Sequence, residues 1–202
     1  MTLTFKPLHP LFVAEAGNVD LTSADDATLQ EVRRGMDQYG VLVFRNQAFT
    51  DDQQLAFAER FDGRLHAKTS SSVLEKNRFG NEALSDISNV GRDGQLLAAD
   101  DRRRMSALAN RLWHTDASFV DPAGRYSMLS ARVVPPVDAD TQFADMRSAY
   151  DELDANAVAV DLVGVGTVRF AGYDDVVAMK TAAGRRQDEE DLARLREARV
   201  ER

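Results

Sequence analysis

A mixed α/β fold is what this sequence predicts, and three observations carry the expectation. Between Ala24 and Tyr39, Leu29, Val32, Met36 and Tyr39 recur at helical spacing, and Gly40 sits where a C-terminal cap belongs. Val41-Leu42-Val43-Phe44 follows at once as a continuous apolar run of β-branched and aromatic residues, the pattern of a buried strand. Further on, Met128 to Val134 and Thr141 to Met146 are strand candidates separated by Pro135-Pro136, the second alternating polar and apolar side chains.

The remaining elements follow in chain order. Leu3 to Phe5 and Leu11 to Ala14 are short apolar runs around Pro7 and Pro10, expected to be early strands joined by a turn. Thr50 with Gln53 forms a capping-box pattern that opens a helix through Leu55, Phe57, Ala58 and Phe61. From Gly63 to Asp101 the chain is polar and carries glycines, so loops are expected, with one strand at Leu84 to Ser88. Ser148 to Leu153 reads as a helix start. Val158 to Phe170 fits helix or strand, because Gly164 and Gly166 weaken both. The charge-rich stretch Arg185 to Arg202, whose apolar line is Leu192, Leu195 and Ala198, reads as a surface helix or a frayed tail.

Composition narrows the chemistry. The length of 202 residues suits one domain, or one domain with a tail. A net charge of -8 argues against a nucleic-acid partner, which needs clustered cations, and favours small-molecule chemistry. Arg102-Arg103-Arg104 follows Asp100-Asp101 and reads as a solvated loop or helix end rather than an anion-binding patch. With no cysteine there is no disulfide and no thiolate, so any metal must rest on His, Asp or Glu. No segment has the pattern of a secretory signal or a membrane span, and a cytoplasmic protein without a membrane partner is expected.

The chain's three histidines are His9, His66 and His114. Only His114 has a carboxylate, Asp116, two residues on. On an extended segment such a pair shares a face, about 6 to 7 Å apart at Cα, and both can converge on one ion. An imidazole nitrogen with a carboxylate oxygen is two thirds of the 2-His-1-carboxylate set that holds non-haem Fe(II). Unaided, the spacing is weak evidence for a metal and reads sooner as a His and an Asp bonded to each other or to backbone at a strand end.

The whole run is more specific than the pair. Leu112-Trp113-His114-Thr115-Asp116-Ala117-Ser118-Phe119, then Pro122, Arg125-Tyr126-Ser127-Met128-Leu129 and Asp140-Thr141-Gln142-Phe143-Ala144-Asp145-Met146 closely resemble the taurine and 2,4-dichlorophenoxyacetate dioxygenase family of Fe(II)- and 2-oxoglutarate-dependent oxygenases. Gly40 to Gln47 and Asp86-Ile87-Ser88-Asn89 extend the likeness over roughly residues 3 to 160. The resemblance implies a double-stranded β-helix (jelly roll) core flanked by helices, and so a mainly β chain. It implies Fe(II) on His114 and Asp116, 2-oxoglutarate as co-substrate with a carboxylate bonded by Thr141, and a substrate-side polar group at Asn110. On its own Thr141 reads as a threonine chosen for its β propensity, and Asn110 as a loop residue. Trp113 is expected to be a wall of the core. The implied reaction hydroxylates a small carboxylate or sulfonate, aryloxyalkanoate- or taurine-like, with O2, releasing succinate and CO2.

Past about Asp161 the likeness stops. The second iron-binding His and the following Arg found in relatives have no counterpart: Arg169, Arg185 and Arg186 sit in no matching motif, and neither His9 nor His66 lies in the right part of the chain. The sequence is therefore expected to be a truncated or frameshifted family member, with an incomplete oxygenase-like jelly-roll domain over 1–160 and a divergent, charge-rich segment over 161–202. Unfinished sheet edges predict instability or self-association into a homo-oligomer. Three readings follow: a hydroxylase, a non-catalytic remnant, and a jelly-roll protein that captures a small acid.

Overall fold

The computed structural model describes residues 3–62, 64–66, 81–91, 93–118, 120–137, 140–152, 157–164, 166–184 and 186–200. Strand β1 (Thr4–Pro7) runs antiparallel to β2 (Ala14–Gly17), with Phe5 opposite Ala16. The second strand starts three residues later than expected. Val13 adopts a positive φ of 63° and its carbonyl accepts the Leu8 N–H at 2.9 Å, so Leu11 to Val13 belong to the connecting turn.

Helix α1 (Asp26–Tyr39) occupies the predicted span. The Asp25 carboxylate accepts from the Thr28 N–H at 2.8 Å and the Thr28 hydroxyl at 2.7 Å, capping its start. Those two bonds, the hydroxyl's above all, hold the Asp25 carboxyl below its ordinary pKa. Gly40, at φ 71°, returns its N–H to the Met36 carbonyl and ends the helix. Strand β3 (Leu42–Phe44) then pairs parallel with β2 in the order β1-β2-β3, and α1 is the crossover that such a pair requires. The capping box forms as written: Thr50 N–H donates to Gln53 Oε1 at 2.9 Å, Gln53 N–H to Thr50 Oγ1 at 3.2 Å, and α2 (Asp51–Asp62) follows.

These elements close one core. Leu29 and Val32 of α1 meet Phe57 and Phe61 of α2, together with Leu3, Leu21, Ala24 and Phe49, while Phe5, Leu42, Phe44, Met36 and Tyr126 pack against the cluster. Each such large side chain contributes about 1.5–3 kcal/mol by leaving water. Gln47 ties the loops behind the sheet, donating to the Val19 carbonyl and accepting from the Leu21 N–H, both at 2.9 Å.

Several predicted strands do not form. Leu84 to Ser88 has no ladder partner among the described residues, and only an isolated bridge, Val90 to Leu96, lies nearby. Met128 to Val134 and Thr141 to Asp145 likewise have no ladder among the described residues, and Leu129, Val133 and Val134 are strongly exposed. A strand is stable only when its N–H and C=O groups find a neighbour, and β propensity alone does not supply one. The expectation of a mainly β chain is corrected accordingly: among the described residues helices outweigh strands.

Two compact units span residues 1–139 and 140–202. The second holds α4 (Met146–Asp151), the hairpin of β4 (Val158–Leu162) and β5 (Gly166–Phe170), α5 (Tyr173–Ala183) and α6 (Arg186–Val200). Gly164 and Gly166 have φ of 77° and 100°, which is why this apolar stretch turns back as a hairpin instead of continuing as a helix or one long strand. Between α5 and α6, Lys180 Nζ reaches Asp191 at 2.6 Å and the buried Asp188 at 3.3 Å, and these bonds raise its pKa, the one to Asp191 most. Of the arginines without a motif, Arg169 lies over the Tyr150 ring at 5.0 Å within this unit, and Arg185 falls outside the described residues. Among the described residues no helix is long and apolar enough to cross a membrane.

Candidate metal centre

The His-x-Asp pair follows a helical ramp. Helix α3 (Arg102–Ala107) tightens into a 3-10 turn over Leu108–Arg111, which carries Asn110, and the chain then leaves as an open segment through His114. His114 Nδ1 lies 2.7 Å from the Leu112 carbonyl. A carbonyl only accepts, so Nδ1 carries the proton of that bond, and Nε2 is the ring atom left for a second partner.

That nitrogen faces Asp116. His114 Nε2 stands 3.4 Å from Asp116 Oδ1, with the two side chains 50% and 60% exposed. Two electron-rich atoms this close require a cation or a proton between them. Metal bonds of about 2.1 Å at right angles set neighbouring donors about 3 Å apart, so the observed pair needs almost no movement to hold one ion. The partner of the second imidazole nitrogen is a backbone carbonyl, a common arrangement for metal-binding histidines.

The loop beyond the pair brings in a residue to which the sequence assigned no role. Ala117 adopts a positive φ of 48°, and its carbonyl accepts the Gly124 N–H at 3.0 Å. A Cβ on Gly124 would fall 2.8 Å from the Ala117 Cβ, so glycine is needed for the chain to fold back here. The return delivers Ser127, whose hydroxyl donates to Asp116 Oδ2 at 2.6 Å and leaves Oδ1 towards His114. Its neighbour Tyr126 points the other way, its ring 5.2 Å from that of Phe61 in the core. Arg132 continues the anchoring, donating to the Phe49 carbonyl and, from Nη2, to Asp51 Oδ1 at 3.0 Å and Gln54 Oε1 at 2.8 Å. The site segment is thus pinned to α2 on one side of Asp116.

The other residues singled out in the sequence have the following surroundings. Trp113 is 65% exposed, which corrects the expectation of a core wall: it lies on the open segment, where no described layer covers it. Asn110 is exposed on the 3-10 turn, and Thr141 is exposed on an open segment of the second unit. His9 accepts from the Leu11 N–H at 3.3 Å and sits edge-on to Phe12, while His66 is exposed. Among the described residues no three His, Cys, Asp or Glu side chains converge.

The model of the taurine catabolism dioxygenase TauD, TfdA family matches residues 4–160. The chain belongs to that family. Over 154 residues this TauD, TfdA family member is 48% identical to the alpha-ketoglutarate-dependent 2,4-dichlorophenoxyacetate dioxygenase of Cupriavidus pinatubonensis, covering 76% of this chain and 53% of that protein. It is 36% identical to the (S)-phenoxypropionate/alpha-ketoglutarate-dioxygenase of Sphingobium herbicidovorans, over 76% of this chain and 48% of the relative. The crystal structure of AAD-2 in complex with Mn(II) and N-oxalylglycine superposes with a TM-score of 0.63 at 40% identity, over 77% of this chain and 51% of that one. This family member therefore spans about half the length of the curated relatives it matches.

Proposed function

We propose that this chain carries the first part of an Fe(II)- and 2-oxoglutarate-dependent dioxygenase whose substrate is a small carboxylate or sulfonate, aryloxyalkanoate- or taurine-like. The observation that carries the reading is the pairing of His114 Nε2 with Asp116 Oδ1 at 3.4 Å on a chain of this family. The donor set, one neutral nitrogen and one carboxylate oxygen, fits Fe(II). Bound there, the metal would couple O2 and 2-oxoglutarate to hydroxylation of a substrate C–H bond, giving succinate and CO2.

The chain's own groups prepare that site. The Leu112 carbonyl fixes the His114 ring and its tautomer, and Ser127 fixes the Asp116 carboxylate, so both ligand atoms are oriented before the ion arrives. The oxygenase part is proposed to be residues 1–160 within a jelly-roll architecture, with 161–202 as a divergent, charge-rich segment. Thr141 is proposed to bond a carboxylate of 2-oxoglutarate through its hydroxyl, and Asn110 to meet the substrate. A dianionic keto acid and an anionic substrate are drawn by the metal cation, since the chain itself is net negative at -8.

One observation favours a second reading, a small-acid-binding protein without turnover: only two donors converge among the described residues, which weakens metal retention. Anaerobic addition of Fe(II) and 2-oxoglutarate separates the two. A weak metal-to-ligand charge-transfer band, followed by succinate when oxygen enters, supports the dioxygenase. A band without succinate supports the binding protein. Absence of both leaves neither standing.

A further inference from the structure

We propose that Arg33 of α1 is a positioning residue for the metal centre, acting on Asp116 through Tyr126 and Ser127. The inference rests on the reading of His114 and Asp116 as metal donors and goes beyond it by tracing what holds their geometry back into the core. The half-buried Arg33 side chain reaches the end of α2, where its Nη2 donates to the Phe61 carbonyl and, at 3.3 Å, to the Arg60 carbonyl. Carbonyls at the end of a helix lack intrahelical partners, and the helix dipole favours a cation there. From that fixed position the guanidinium carbon lies over the Phe61 ring, 5.0 Å from its centre, and over the Tyr126 ring, 5.9 Å from its centre. Both separations fall within the reach of a cation–π attraction, and a planar guanidinium serves the two rings at once.

Tyr126 depends on such contacts. Its hydroxyl is buried with no hydrogen-bond partner among the described residues, so the ring is held by its faces and edges, by Phe61 at 5.2 Å and by the arginines beside it. Arg125 also lies over the ring, at 5.5 Å, but as the adjoining residue it moves with Tyr126. Arg33 comes from α1 and tethers the ring to the core. The next residue is Ser127, whose hydroxyl donates to Asp116 Oδ2 at 2.6 Å and leaves Oδ1 3.4 Å from His114 Nε2. Adjoining Cα atoms keep a separation of about 3.8 Å, so a Tyr126 that drifts from Phe61 carries the Ser127 hydroxyl off Asp116. The carboxylate is then free to rotate, and the donor pair loses its orientation towards an ion. An arginine that only closes α2 would contribute to stability and leave the donors as they are.

The test is Mn(II) binding to the whole chain, counted from loss of the free-ion EPR signal, in the wild type, Arg33→Leu, Ser127→Ala and the double variant. Arg33→Leu should weaken binding about 5-fold, less than the loss on removing a direct partner of a metal ligand. In the Ser127→Ala background it should change nothing further, because the route to Asp116 is already cut. Should Arg33→Leu fail to fold, Arg33→Lys, which keeps the charge but lacks the planar fork, carries the same cycle. Tyr126→Leu should reproduce the loss, and Tyr126→Phe, which keeps the ring, should recover it. Losses of Arg33→Leu and Ser127→Ala that multiply in the double variant overturn the relay, as does wild-type affinity in a folded Arg33→Leu. Either result leaves the donor reading intact. A wild type that binds no Mn(II) overturns the donor reading and the relay with it.

Discussion

Residues 3–62 and residues 102–137 are built on different principles, and the contrast explains where this chain is stable and where it is reactive. The first region closes on itself: three strands, two capped helices and a shared cluster of Leu29, Val32, Phe57 and Phe61 bury their apolar faces together. The second holds by a few side-chain anchors, chiefly Tyr126 on Phe61 and Arg132 on the start of α2, and leaves Trp113, Leu129, Val133 and Val134 exposed. Stability resides in the first region, and the exposed donor pair resides in the second.

Matched truncations test that contrast with the largest effect. Leu29→Ala removes a buried side chain from the shared core and should cost about 2–5 kcal/mol in urea unfolding. Val133→Ala, at an exposed position, should change stability by no more than about 0.5 kcal/mol. Equal losses would mean that the second region is packed as tightly as the first.

Ser127→Ala is the next test, since it removes the hydroxyl that holds Asp116 Oδ2 while leaving the core untouched. Metal affinity should fall about 10- to 100-fold, as for other partners of metal ligands, with an unchanged unfolding midpoint. Restoration by Ser127→Thr would identify the hydroxyl itself as the cause.

A smaller effect separates the regions by pH. The Asp25 carboxyl sits below its ordinary pKa because Thr28 bonds the ionised form. The capping contribution is therefore complete above the ordinary carboxylate range and is lost as pH falls through the lowered folded-state value. Asp25→Asn, which caps without ionising, should flatten the acid limb of the stability profile of the first region. An unchanged limb would assign acid sensitivity elsewhere.

Tyr126→Phe should have the smallest effect. The hydroxyl is buried with no hydrogen-bond partner among the described residues, so its removal should be neutral or stabilising, within about 1 kcal/mol. A clear loss would expose a partner for the phenol.

What the sequence disclosed follows the same divide. The span of α1, its Gly40 end and the Thr50–Gln53 box were legible because each is a pattern within four residues of itself. Leu84–Ser88, Met128–Val134 and Thr141–Met146 misled because β-branched and apolar runs announce a strand only if another strand receives them. At the site, the i, i+2 spacing of His114 and Asp116 was readable and the structure brings their atoms together. Ser127 was not readable, because eleven residues and a fold-back at Gly124 separate it from Asp116.

The joint hold of His114 and Asp116 on one ion is tested most directly by anaerobic Fe(II) titration of the wild type, His114→Ala, Asp116→Ala and the double variant. If one ion needs both donors, each single variant should lose nearly as much affinity as the double variant. Binding unchanged in either single variant, or small losses that simply add, would contradict a shared site.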